Sequence, residues 1–109
     1  MNVRTYAIQR ITAILLLPFI LVHLAVIFYA TSKGLSAAAI LERTRGSLGW
    51  GSYYLLIVAL ISLHGSVGTA VVLNEWAGLS VGSSRVVGGL LGGALGLLGL
   101  RAVAAVCLP

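Results

Sequence analysis

Residues 11–32 read I-T-A-I-L-L-L-P-F-I-L-V-H-L-A-V-I-F-Y-A-T-S, 22 residues without a charge between Arg10 and Lys33. A bilayer-spanning helix needs about 20 consecutive, mostly apolar residues. This stretch therefore decides the class of fold. Two further runs repeat the pattern. Gly46 to Asn74 gives 29 uncharged residues between Arg45 and Glu75. The third run follows Arg85, continues to Pro109 and is interrupted only by Arg101. Arg101 lies about 24 Å along a helix from Arg85, at 1.5 Å per residue. From there its side chain snorkels to the far interface. The pattern predicts an all-α integral membrane protein, one domain over residues 1–109, with three spans at roughly 8–31, 50–76 and 84–107.

Composition agrees. Of 109 residues, 60% are hydrophobic and 8% charged, against about 25% charged in a soluble domain. The mean hydropathy is +1.10. Seven Lys or Arg and two Asp or Glu cannot cover a water-soluble globule of this size. The net charge of +5 does not point to nucleic acid, because the basic residues are scattered rather than clustered. A single cysteine, Cys107, excludes a disulfide framework or a Cys-based cluster within the chain. The first run has basic residues in front of it, as a signal peptide would. Its apolar stretch is longer than a signal core and no A-x-A site follows, so it reads as a retained helix.

The two connections differ in kind. Residues 33–49 carry Lys33, Glu42, Arg43 and Arg45. Ser36 is placed to cap a short surface helix from Ala37 to Thr44, with Gly46 and Gly49 as stops. Residues 77–84, A-G-L-S-V-G-S-S, read as a tight turn. Arg4, Arg10 and Arg85 fall on one side and Lys33, Arg43 and Arg45 on the other, so charge counting assigns no orientation.

Polar residues at membrane depth are functional candidates by default. They are Thr12, His23, Ser62, His64 and Ser66. Ser and Thr can satisfy themselves on a carbonyl one turn back. An imidazole in hydrocarbon needs a hydrogen-bond partner, a ligand or a metal. His64 has Gly65 beside it and Gly68 one turn later. Small residues there leave a flat surface of the kind a porphyrin face requires; they also allow plain helix packing. His23 has no such glycine. Counted along each helix, both histidines lie about 17 Å from the end that carries Arg10 and Glu75. That leaves open one shared haem or two separate ones.

Arg10 and Glu75 are expected at one membrane face, with Thr12, Asn74 and Trp76 nearby. Such a group could hold a quinone carbonyl and supply protons, or could simply form an interfacial belt. On the third helix Gly88, Gly92 and Gly96 form overlapping G-x-x-x-G steps that favour close contact with another helix, in this chain or a partner. Neither glutamate falls at mid-membrane, which disfavours a small proton-coupled drug transporter.

Several of these residues also form a family pattern. Gln9-Arg10-Ile11-Thr12-Ala13 resembles the His-Arg-(Ile/Val)-(Ser/Thr)-Gly signature that opens the first helix of succinate dehydrogenase cytochrome b anchors. His64-x3-Gly68-x6-Glu75 resembles their second-helix His-x3-Gly-x6-Asp. Leu41 to Trp50, L-E-R-T-R-G-S-L-G-W, resembles the interhelical loop of small bacterial members. The resemblance covers roughly residues 5–78 and the third helix matches only as an apolar helix. Tyr6 stands where the family carries a serine, Gln9 where it has histidine, Ala13 where it has glycine, and Ala70 where an arginine is common.

The resemblance implies a membrane subunit of succinate:quinone oxidoreductase, respiratory complex II of the tricarboxylic acid cycle, or of a fumarate reductase. It implies haem b, one or two per complex, on His64 and His23. Family anchors with two haems place one histidine on each of the first two helices, at a separation close to the 41 residues found here, and each serves a different haem. It implies a quinone, ubiquinone or menaquinone, near Arg10, Glu75, Trp76 and Tyr6. The implied partners are a flavoprotein with covalent FAD, an iron–sulfur subunit, and a second anchor or second copy of this chain. The implied setting is a bacterial inner membrane with the N-terminus cytoplasmic. Catalysis then belongs to the complex, because this chain has no nucleophile or acid–base pair for succinate. The contrasting expectation is a haem-free structural or assembly protein packed through its glycines.

Overall fold

The structure is a computed structural model and describes residues 2–109. It is all-helical: α1 (Val3–Ser32), α2 (Ala37–Thr44), α3 (Leu48–Glu75) and α4 (Val81–Cys107). The three long helices are each long and apolar enough to cross a membrane, as the uncharged runs predict. Their ends differ from the sequence-based bounds. α1 begins five residues before the expected position 8, because Asn2 accepts from the Thr5 amide and caps it there. α1 runs unbroken through Pro18. α4 begins three residues early, capped by Ser80 on the Ser83 amide, so the second half of the expected 77–84 turn is helix. The turn itself needs Gly78, at φ +75°. α2 forms where Ser36 predicts it, with the Ser36 hydroxyl accepting from Ala39 N–H. Gly46, at φ +71°, is the stop after α2, whereas Gly49 lies within α3, which Ser47 caps.

The apolar surface faces outward. Among the described residues the buried aliphatic side chains are few, namely Leu16, Ile57 and Val103, while Phe28, Leu90 and Leu97 are more than half exposed. The chain exposes 7222 Å², against about 5,700 Å² expected of a soluble globule of its mass. Acyl chains solvate such a surface without cost, so the helices are held by close packing instead.

α3 is the hub, and α4 packs along its whole length. The glycine stripe meets α3, within the chain. A methyl group built on Gly88 would strike the Ser66 carbonyl, and one on Gly92 would lie 2.6 Å from Ser66 Cβ. One on Gly99 would lie 2.7 Å from Val58. Gly89 and Gly93 point away into open space. Gly88→Ala is therefore expected to destabilise the α3–α4 pair by about 1–3 kcal/mol, the usual overpacking cost. Gly89→Ala should change nothing. Thermal unfolding of the two variants in detergent makes the comparison; equal melting temperatures would contradict the packing argument.

α1 packs on α3 but hardly touches α4. At one end, aromatic side chains join them. Tyr53 Oη donates to the Phe19 carbonyl, the Phe19 and Tyr53 rings are 5.4 Å apart, and Trp50 stacks on Tyr54 at 5.8 Å. Arg43 of α2 lies over the Trp50 ring at 5.5 Å. This is an aromatic belt at the interface that carries α2. α2 is fastened to the far end of α4: Thr44 Oγ1 donates to the Val106 carbonyl at 2.6 Å, and the Gly46 amide donates to the Cys107 carbonyl at 2.7 Å.

Candidate functional site

His64 stands in the eleventh position before the end of α3, half-buried against α1. Its Nδ1 lies 2.9 Å from Thr12 Oγ1. Thr12 is 3% exposed. The Thr12 hydroxyl has one proton and three neighbours: the Ile8 carbonyl at 2.7 Å, the Gln9 carbonyl at 3.1 Å and the imidazole. Carbonyls cannot donate; Thr12 would donate to Nδ1 only in the opposite tautomer, and we assign the hydroxyl proton to the shorter contact, the Ile8 carbonyl. Thr12 Oγ1 is then left to accept, and His64 Nδ1 is the donor. That assignment makes His64 the Nδ1–H tautomer and puts the lone pair on Nε2. A neutral imidazole whose Nδ1–H is held by an oxygen acceptor is the arrangement that metal-ligating histidines adopt. Thr12 thus satisfies itself one turn back, as threonine in a membrane helix does, and holds the histidine as well. Ser62 does not follow that expectation: its Oγ is buried without a hydrogen-bond partner.

The flat surface expected beside His64 is covered. The Gln9 amide lies over Gly68, so close that a Cβ there would sit 2.6 Å from Gln9 Nε2. Leu95 of α4 lies over Gly65, at 3.1 Å from a Cβ built there. Both covers are the far ends of rotatable side chains, not backbone. A planar group beside His64 would need both Gln9 and Leu95 to move; Gln9 Oε1, buried without a partner, would lose no hydrogen bond in doing so.

His23 lies elsewhere. Its ring meets the edge of Tyr54, with centroids 6.0 Å apart, and its Nδ1 is buried without a partner. α1 and α3 run antiparallel in a register fixed by Gln9 on Gly68, Thr12 on His64 and His23 on Tyr54. Tyr54 precedes His64 by ten residues, which is about 15 Å of helix. The two histidines therefore do not share a depth. His64 is nearer the Glu75 end and His23 nearer the aromatic belt. Side chains so far apart along the helices cannot both hold one bound group within this chain.

The same register separates the expected quinone residues. Arg10 lies level with about residue 66 of α3, so Glu75 stands roughly 13 Å farther along the axis. Arg10 and Tyr6 are exposed and adjacent, with the guanidinium 5.6 Å from the ring centroid. Trp76 is 82% exposed. Glu75 faces a cavity with Asn2, Thr5, Asn74, Ser84 and Arg85. The structure thus brings Tyr6 to Arg10 and does not bring either to Glu75 or Trp76. Equating the two helix ends misled the sequence reading, because Arg10 lies about two turns inside the start of α1. The sequence marks Thr12 as an intramembrane hydroxyl and Gln9 as part of the Arg10 motif, but does not place either beside His64. Their signal was a hydroxyl and an amide three residues apart, on one helical face.

Among the described residues no group of three or more His, Cys, Asp or Glu is placed to hold a metal ion. Comparison with models of protein families, with curated proteins and with solved structures finds no match.

Proposed function

We propose that this chain is a cytochrome b membrane anchor of a succinate:quinone oxidoreductase. The observation that carries the proposal is the 2.9 Å Thr12–His64 hydrogen bond; with Nδ1–H assigned as its donor, Nε2 keeps its lone pair for a ligand. The motif residues Arg10, Thr12, His64, Gly68 and Glu75 supply the family reading. The unpartnered Nδ1 of His23, about 15 Å away along the bundle, supports a second haem rather than a shared one. Each haem would take its other axial histidine from a second anchor or a second copy of this chain. When bound, haem b carries single electrons, at a potential set by its ligands and burial.

In this reading Arg10, with Tyr6 against it, offers a fixed donor to a quinone carbonyl at the membrane surface of α1. Glu75 and Trp76, closer to the water, stand on the proton side. The face that holds Arg10 and Glu75 adjoins the iron–sulfur subunit and its flavoprotein partner. In a bacterial inner membrane that face is cytoplasmic, with α2 outside.

A reduced-minus-oxidised visible spectrum of the protein, expressed with sufficient haem, tests the proposal. A low-spin b-type spectrum is the expected result. A folded, haem-free protein under those conditions would return the chain to a second reading, a haem-free packing protein. The covering of Gly65 and Gly68 by Leu95 and Gln9 favours that second reading.

A further inference from the structure

Asn2, Thr5, Gln9 and Thr12 are spaced by three, four and three residues, so they share one face of the α1 helix and its cap. That polar face is turned into the bundle. Asn2 and Thr5 line a cavity of about 300 Å³ at the end where α1 and α4 begin and α3 stops. The Gln9 amide lies over Gly68, and Thr12 meets His64. Polar side chains inside a membrane bundle are costly unless they have partners or line a wet space. Ser84 of α4 lines the same cavity; it is 1% exposed and its Oγ has no hydrogen-bond partner in the protein. The cavity has room for several waters, and a buried hydroxyl on its wall is the kind of group that such water satisfies. Asn2 and Arg85, both exposed, mark its mouth.

The cavity stops about one turn short of His64. On α3 it is lined by Val67, beside Gly68, and by Val71, one turn farther out. On α1 it is lined by Thr5, and Gln9 is the next residue inward on that face. Gln9 on Gly68 therefore stands between the cavity and the Thr12–His64 pair. Gly68 is what admits it, since a Cβ there would lie 2.6 Å from Gln9 Nε2. The seat is incomplete, because Gln9 Oε1 is buried in it without a partner. A buried acceptor left unsatisfied favours any position that supplies a donor. Water in the cavity, one turn away, is such a donor. Glutamine reaches it by rotamer changes alone, with no movement of the backbone.

We infer that Gln9 is a gate. Seated on Gly68, it keeps the water of the cavity from the Thr12–His64 pair. Swung toward Thr5, its Oε1 gains a water partner and the way to the imidazole opens. This gate goes beyond the anchor reading and does not depend on haem.

Nuclear magnetic resonance of the full chain, in detergent micelles and without bound haem, tests the gate. In the unsubstituted protein, cross-relaxation from water should reach Thr5 and Ser84 but not the Thr12 methyl group. The His64 imidazole N–H should exchange slowly with water. Gln9→Ala should bring the water signal to Thr12 and speed that exchange by about tenfold or more, because exchange at a closed site reports its opening. Gln9→Met refills the seat on Gly68 and should keep the site dry. Adding Thr5→Leu to Gln9→Ala narrows the cavity and should slow the exchange again. Circular dichroism verifies that each variant stays helical. Water at Thr12 in the unsubstituted protein would overturn the gate, as would its absence at Thr5 and Ser84. Exchange unchanged by Gln9→Ala in helical protein would overturn it too. Exchange that Thr5→Leu failed to slow would mean that water enters elsewhere, and the gate on this cavity would fall.

Discussion

His64→Ala is expected to abolish one low-spin haem component and leave any second component intact. The expectation follows from geometry. The imidazole is held by Thr12 at Nδ1, and the residues around it, Gly65, Gly68, Leu95 and Gln9, offer no replacement ligand for iron. His23 cannot substitute, because the helical register places it about 15 Å away. His23→Ala should remove the other component, about half the signal of a two-haem protein. The measurement is a low-temperature reduced-minus-oxidised spectrum, with electron paramagnetic resonance to count low-spin species. If either substitution alone removed every low-spin species, the two histidines would be acting on one haem, and the register would have to be wrong. If His23→Ala left the spectrum unchanged, His23 would be a packing residue against Tyr54, and its loss should cost at most about 1–2 kcal/mol.

The second large effect concerns a residue that would touch no iron. Thr12→Val keeps the shape of a buried side chain and deletes the hydroxyl. His64 Nδ1–H then loses its acceptor and the ring loses its orientation. Losses of this kind typically weaken metal binding by about 10–100-fold. Haem retention during purification should fall accordingly. The acceptor also makes the imidazole a stronger electron donor, which favours the oxidised iron. Without it the midpoint potential of the His64 component should rise. Thr12→Ser restores the oxygen and should restore both properties. A purely structural role would lower the melting temperature without moving the potential of the haem that remains. An unchanged potential in Thr12→Val would therefore contradict the proton assignment at His64.

Much of the architecture was legible in one dimension. Arg10, Lys33, Arg45, Glu75 and Arg85 bracket the spans, because a charge in hydrocarbon is costly and the chain avoids it. Ser36 announced α2, because a capping hydroxyl is a local interaction. The Gly88–Gly92–Gly96 stripe announced a close helix contact, although not which helix would fill it. The offset between α1 and α3 was hidden. It is fixed by pairs that lie far apart in the chain, such as Thr12 with His64 and Phe19 with Tyr53, and no local pattern encodes them. Measuring depth from Arg10 and Glu75 as if they marked one plane made two histidines at different depths look level. It also gathered four residues into one quinone site that the fold divides between Arg10 with Tyr6 and the end of α3.

The fastening of α2 to α4 has a consequence for synthesis. Thr44 and Gly46 reach their acceptors, Val106 and Cys107, across about sixty residues of chain. A ribosome delivers those acceptors only after α3 and nearly all of α4. While α1 waits in the bilayer for α3, Thr12 already has the Ile8 carbonyl within its own helix. His23 has no such provision. The nascent α1 therefore carries one unsatisfied imidazole until α3 arrives with Tyr54, and the surface segment stays unlatched until the end of α4 emerges.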